Sequence, residues 1–145
     1  MLYQLSYTPK KQILSFIELP YEHRDTALEA MMIGVNSDYN NTASWKHYPT
    51  VAVLRPKNLS DEEINKVVSY AKDKLLDIKY DIFSGIFGET AEENGKLKST
   101  HCSHLVWSAY KSAGVDINSD GGLLVLPDDF LKSDELEIIW SYGIN

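Results

Sequence analysis

An amphipathic helix that carries its own start signal is the feature of this sequence that most restricts its fold. Residues 59–76 read LSDEEINKVVSYAKDKLL. Ser60 and Glu63, three residues apart, form the capping-box pattern that predicts where the helix begins. The apolar residues recur at helical spacing and therefore fall on one stripe, which consists of Ile64, Val67, Val68, Ala71 and Leu75. A stripe of this kind is buried against another layer of structure, so the helix predicts a layered domain.

A second helix is predicted over residues 99–114, STHCSHLVWSAYKSAG. Ser99 or Thr100 is suited to cap its start, because a hydroxyl oxygen accepts a hydrogen bond from the first free N–H groups. Gly114 stands where a C′ glycine ends a helix. The apolar stripe of this helix consists of Leu105, Val106, Ala109 and Ala113.

The remaining pattern is β-rich. Residues 26–35 mix helix-favouring composition with strand-like neighbours, and residues 35–44 and 77–98 are predicted to be irregular. Strands are predicted at residues 12–19, 50–56, 123–126 and 136–143, with a short helical turn at 127–133. Two capped helices among several strands predict an α+β fold, and residues 1–145 form a single domain in this interpretation.

Composition excludes several classes of function. The net charge is −7 and no basic run exceeds Lys10-Lys11, which argues against nucleic acid or an anionic membrane as a partner. No apolar stretch reaches the ~18 residues of a membrane span. The first residues lack a signal-peptide pattern. We therefore expect a cytoplasmic protein, although a secreted or cell-envelope protein with its leader trimmed would have the same sequence.

Cys102 is the only cysteine, which excludes an intramolecular disulfide and a Cys-based metal site. It falls in the first turn of the second helix, where free N–H groups and the helix dipole favour a thiolate. It also falls on the apolar stripe of that helix, and free cysteine is among the most buried residue types. Position alone therefore leaves both a nucleophile and a core residue open.

The histidines beside Cys102 do not decide between these interpretations. His101 points about 100° away from it on a helix, and His104 lies nearly on the opposite face. His23 and His47 lie in segments predicted to be exposed. No histidine or acidic spacing typical of a metal site occurs, and we expect no metal and no cofactor.

Several separate elements nevertheless occur in a familiar order. Residues 102–110 follow Cys-Ser-x-Leu-Val-Trp-x-Ala-Tyr, and an Asp-bearing loop at 116–122 and a Pro-Asp-Asp turn at 127–129 come next. Upstream, residues 50–81 contain a strand ending in Arg-Pro, a helix and a Tyr-Asp pair. This pattern resembles the permuted papain-like hydrolases of the NlpC type, the YiiX/YebB-like group, over about residues 50–140.

The resemblance implies a papain-like domain with an antiparallel sheet packed against a few helices. It also implies a cysteine hydrolase, an amidase or peptidase, that acts on amide or ester bonds through a thioester. Its ligands would be small peptides, amides or lipids, cell-wall peptides among them. Cys102 would be the nucleophile, Glu29 the residue that orients the imidazole, and Tyr80 a residue that lines the substrate site. The oligomeric state stays open.

The sequence departs from the family where the histidine is expected. The family has a Gly-His at the head of a strand before the glutamate, and here the matching strand begins with Lys11 and Gln12. Three interpretations follow. The chain has lost catalysis and binds a ligand in the old cleft, or it lacks the usual first strand, or another histidine has taken the role. The histidines available for that role are His23, His47, His101 and His104.

Overall fold

A six-stranded antiparallel sheet with helices against it is the framework of the protein. The computed structural model describes residues 2–4, 16–18, 26–41, 43, 48–86 and 92–144. The strands of the sheet are β1 (Leu2–Gln4), β2 (Phe16–Glu18), β3 (Thr26–Glu29), β4 (Asp38–Asn41), β5 (Val51–Pro56) and β10 (Leu136–Tyr142). Their order in the sheet is β10-β5-β1-β2-β3-β4, with every neighbouring pair antiparallel. The α+β prediction is confirmed at this level.

Four shorter strands and three helices complete the described structure. The short strands are β6 (Lys79–Tyr80), β7 (Glu92–Glu93), β8 (Lys96–Leu97) and β9 (Ser99–Thr100), and the helices are α1 (Asp61–Lys74), α2 (Cys102–Ser112) and α3 (Pro127–Lys132). β7 and β8 form a hairpin whose two turn residues, Asn94 and Gly95, have φ of 54° and 77°. Positive φ at both positions suits the right-handed twist of a two-residue hairpin.

The predicted capping box of α1 is present. Glu63 N–H donates to Ser60 Oγ at 3.3 Å, and Ser60 N–H donates to the Glu63 carboxylate at 2.8 Å. Val67, Val68 and Ala71 of the apolar stripe are buried. This helix needed little beyond local signals, because its cap and its stripe lie within one stretch of chain.

The main core lies between the sheet and the two longer helices. It contains the apolar stripes of α1 and α2 and, from the sheet side, Leu28, Ala30, Ala52 and Leu54. Side chains alternate across a strand. The buried residues Ala27 and Glu29 therefore face the opposite side of the sheet from Leu28.

Several local predictions were wrong. Residues 38–41 were expected in a loop but form β4, because pairing with β3 outweighs the weak strand propensity of Asp-Tyr-Asn-Asn. Residues 26–29, which the sequence left ambiguous, form β3. Residues 123–126 form no strand, and Leu123 is 75% exposed. Ser99 and Thr100 belong to β9, and His101 takes the cap position of α2. Within the predicted strand at 12–19, residues 16–18 are described and are strand.

Candidate functional site

Cys102 is the first residue of α2, and a short parallel pairing brings Tyr80 to it. β6 pairs with β9 so that Tyr80 lies beside Thr100, two residues before the cysteine. The N–H of Asp81 donates to the Thr100 carbonyl at 2.8 Å and holds the end of β6 in place. The Tyr80 hydroxyl and the Cys102 sulfur lie close enough that each group shifts the pKa of the other. Two of the three residues predicted for the site therefore lie near each other.

The Cys102 thiol is neutral in its present surroundings. The residue keeps some exposed surface, but burial of its sulfur raises the pKa of the thiol above its ordinary value. Hydrogen bonds from Ser103, whose Oγ lies 3.8 Å from Sγ, and from Tyr80 lower the pKa by less than burial raises it. The start of α2 therefore supplies hydrogen-bond donors that would stabilise a thiolate, but they do not lower the pKa of the thiol below its ordinary value.

His101 uses its ring to cap α2. Its Nδ1 accepts a hydrogen bond from the backbone N–H of His104 at 3.3 Å. Since Nδ1 is the acceptor, the neutral ring carries its proton on Nε2, which is buried and has no hydrogen-bond partner among the described residues. Burial lowers the pKa of His101 to about 4, and the Ser84 backbone and the Asp81 carboxylate oppose only part of that shift.

His104 is buried on the side of α2 that residues 84–86 cover. Its ring nitrogens lie 3.1 Å from Thr100 Oγ1 and 3.3 Å from Ser108 Oγ. Gly85, with φ of 85°, packs against the ring so closely that an added Cβ would lie 2.5 Å from His104 Cδ2. Burial lowers the pKa of His104 to about 4. The described hydrogen bonds of both histidine rings lead to groups other than the Cys102 sulfur.

Glu29 has no described contact with this group. Strand alternation places it on the sheet face opposite the main core, where Asn40 and Tyr48 interact with its carboxyl group. Burial raises its pKa from 4.5 to about 7. The described contacts therefore join Tyr80 to Cys102 and leave Glu29 in a separate polar cluster. His23 and His47, the other histidines considered for the base, lie outside the described residues.

Sequence reasoning missed what surrounds Cys102 rather than Cys102 itself. The capping role of His101 was missed because pairing of β9 with β6 takes up Ser99 and Thr100, the caps that the sequence favoured. The contact of Gly85 with His104 was missed because it depends on how residues 84–86 pack against α2. The described residues contain no group of three His, Cys, Asp or Glu side chains able to hold a metal ion. None of the described helices has the length and apolar character that crossing a membrane requires.

Comparisons of the chain with protein-family models, with curated proteins and with solved structures find no match. The chemistry of the site is therefore argued from its own residues. A single thiol at a helix start, with a phenol O–H and backbone N–H groups directed to it, can stabilise negative charge that develops on sulfur. Removing the thiol proton requires a base in addition.

Proposed function

We propose that this protein is a cysteine hydrolase with a papain-like arrangement, and that it cleaves amide or ester bonds through a thioester on Cys102. The closeness of the Tyr80 hydroxyl to the Cys102 sulfur at the start of α2 is the observation that carries the proposal. A phenol O–H bound to sulfur stabilises the thiolate more than the thiol, since the bond to the charged form is the stronger one. A cysteine with only a packing role has no need of such a donor.

In the proposed reaction a base removes the thiol proton and the Cys102 sulfur attacks the carbonyl carbon. The C–N or C–O bond breaks, and the amine or alcohol leaves with that proton. Water then hydrolyses the thioester and restores the thiol. The backbone N–H groups at the start of α2 are the donors available to the oxyanion. Peptides and other amides, cell-wall peptides among them, are the proposed substrates.

The base in this proposal is His23 or His47. The chain has four histidines. The ring of His101 serves as a helix cap and that of His104 lies against Thr100, Ser108 and Gly85. Both have a pKa near 4, which makes them weak bases at neutral pH.

A second candidate is a ligand-binding protein without catalysis. The raised pKa of the Cys102 thiol favours it, because a catalytic cysteine normally has a depressed pKa. In this candidate the phenol and thiol serve as polar groups of a binding cleft.

Alkylation of the single thiol separates the two candidates. The rate of reaction with iodoacetamide, followed by intact mass between pH 5 and 9.5, reports the fraction of thiolate. If the protein is a hydrolase, we expect Cys102 to be alkylated below pH 7, and we expect H23Q or H47Q to abolish this reaction and Y80F to slow it. If the protein only binds a ligand, we expect alkylation only above pH 8, at the same rate in wild type and in both histidine variants.

Two controls make the measurement specific. C102S must remain unlabelled, which shows that the mass change reports this residue. All cysteine-containing variants must react alike in concentrated urea, where the fold no longer affects the thiol. If wild-type protein reacts only above pH 8 and Y80F does not change the rate, the hydrolase proposal is wrong.

A further inference from the structure

A small cavity lies against α2, bounded by residues 84–86 on one side and by residues 118–125 on the other. Its volume is about 140 Å³. Apolar cavities of about this size accept a benzene-sized molecule. Its lining includes Ile86, His104, Trp107, Asn118, Leu123 and Val125.

The cavity lies on the side of α2 away from the thiol. His104 and Trp107, which form its helical wall, follow Cys102 by two and five residues. At about 100° per residue their side chains leave the helix roughly 200° and 140° around from Cys102. Cys102 is not among the lining residues. The cavity is therefore distinct from the site proposed for hydrolysis.

Two aromatic rings form a fixed wall of this cavity. Trp107 Nε1–H donates to Asp116 Oδ1 at 2.9 Å, which sets the orientation of the indole. The rings of Trp107 and His104 lie 5.7 Å apart between centroids. Ile86 and Val125 add aliphatic surface, and the exposed Leu123 belongs to the lining as well. An aromatic ligand gains offset or edge-to-face contacts with such a wall in addition to its burial.

Asn118 adds to the side chains around the cavity a hydrogen-bond acceptor that has no donor among the residues that the structure describes. Its Nδ2 donates to the Gly122 carbonyl at 3.0 Å, and its backbone N–H donates to Asp116 at 3.1 Å. Its Oδ1 is buried and has no hydrogen-bond partner within the described part of the chain. A buried acceptor without a donor is unfavourable, because it has lost its hydrogen bonds to water. Asn118 lines the cavity, so reorientation of its amide would let a bound O–H or N–H group satisfy this oxygen.

We propose that this cavity binds a small aromatic group that carries one hydrogen-bond donor, of the size and chemistry of a phenol. The ring packs against Trp107 and His104, and the O–H donates to Asn118 Oδ1. This site is independent of Cys102 and of the proposed hydrolase activity.

Phenol and toluene are the probes for this proposal, because they have the same shape and differ in the O–H group. Titration of ¹⁵N-labelled protein with phenol should shift the Trp107 indole signal and the amides of the lining residues, with low-millimolar affinity. Nuclear Overhauser contacts from phenol ring protons to Trp107 and Val125 locate the ligand in the wild-type protein without any variant.

The hydrogen bond to Asn118 is tested by the ratio of the two affinities. In Asn118→Leu the preference for phenol over toluene should fall about fivefold, the value of one neutral hydrogen bond. Asn65→Leu, on the exposed face of α1, should leave the ratio unchanged. C102S should also leave it unchanged, so that failure of the hydrolase proposal does not affect this result. The proposal is overturned if phenol shifts no lining residue, or if the ratio is the same in Asn118→Leu and in wild type.

Discussion

Replacing Glu29 by Gln should stabilise the protein at alkaline pH and leave it nearly unchanged at acid pH. Glu29 is 8% exposed, and burial moves its pKa from 4.5 to about 7. The buried site therefore favours the neutral carboxylic acid over the carboxylate. A glutamine has a similar shape, keeps an oxygen that can accept the hydrogen bond from Asn40, and never ionises.

The size of the effect follows from proton linkage. A tenfold change in proton affinity corresponds to about 1.4 kcal/mol, so a pKa raised from 4.5 to about 7 corresponds to about 3 kcal/mol. Because the folded pKa is the higher one, the favourable contribution of the neutral acid is complete below pH 4.5. It is lost as the pH rises through 7. The amide variant avoids this loss.

Urea unfolding followed by tryptophan fluorescence at pH 4.5 and pH 8.5 measures the difference. We expect Glu29→Gln to raise the free energy of unfolding by up to about 3 kcal/mol at pH 8.5, with little change at pH 4.5. Glu93→Gln, on the exposed strand β7, is the matched control and should show no such pH dependence. An equal effect of Glu29→Gln at both pH values, or destabilisation at pH 8.5, would refute the linkage argument.

Three further predictions concern the caps of the two longer helices and the loop that packs against α2. The pKa of His101 lies near 4 rather than 6.5, so the contribution of the neutral ring to stability is complete above pH 6.5 and decreases as the pH falls toward 4. His101→Asn keeps an oxygen that can cap α2 but does not ionise. In urea titrations it should therefore remove about 3 kcal/mol of the acid sensitivity. Acid sensitivity equal to wild type would count against it. Ser60→Ala should lower the free energy of unfolding by about 1 kcal/mol with an unchanged urea slope, whereas Ser69→Ala on the exposed face of α1 should have little effect. Gly85→Ala should destabilise by about 2 kcal/mol more than Gly95→Ala, because both positions have positive φ but only Gly85 has the His104 ring in the way; equal losses would contradict the contact.

The two helices show how far local sequence predicts this fold. The start of α1 was predicted correctly because Ser60 and Glu63 form a closed local pattern. The start of α2 was misplaced, since Ser99, Thr100 and His101 can all act as caps. Pairing of β9 with β6 removes the first two from the choice. That pairing is a contact between distant segments, which no local pattern contains.

The candidate site likewise combines residues that the local sequence predicts with contacts that only the folded chain creates. Cys102 and Tyr80 were predicted as site residues, but their closeness depends on the parallel pairing of β6 with β9. Glu29 was assigned by a resemblance in sequence order, and its side chain lies on the sheet face opposite the main core. Asn118 was not selected, because an unpartnered amide oxygen becomes recognisable only when the neighbours of its side chain are known.

The β6–β9 pairing also affects how this protein can change over evolution. It joins residue 79 to residue 99 and residue 80 to residue 100, so it closes the base of the intervening segment. The entropy of closing a loop rises only slowly with its length, so insertions between these strands are tolerated at little cost in stability. Such changes can remodel the cavity wall at residues 84–86 while Tyr80 stays beside Cys102. The cavity and the surroundings of Cys102 can therefore change independently in descendants of this chain.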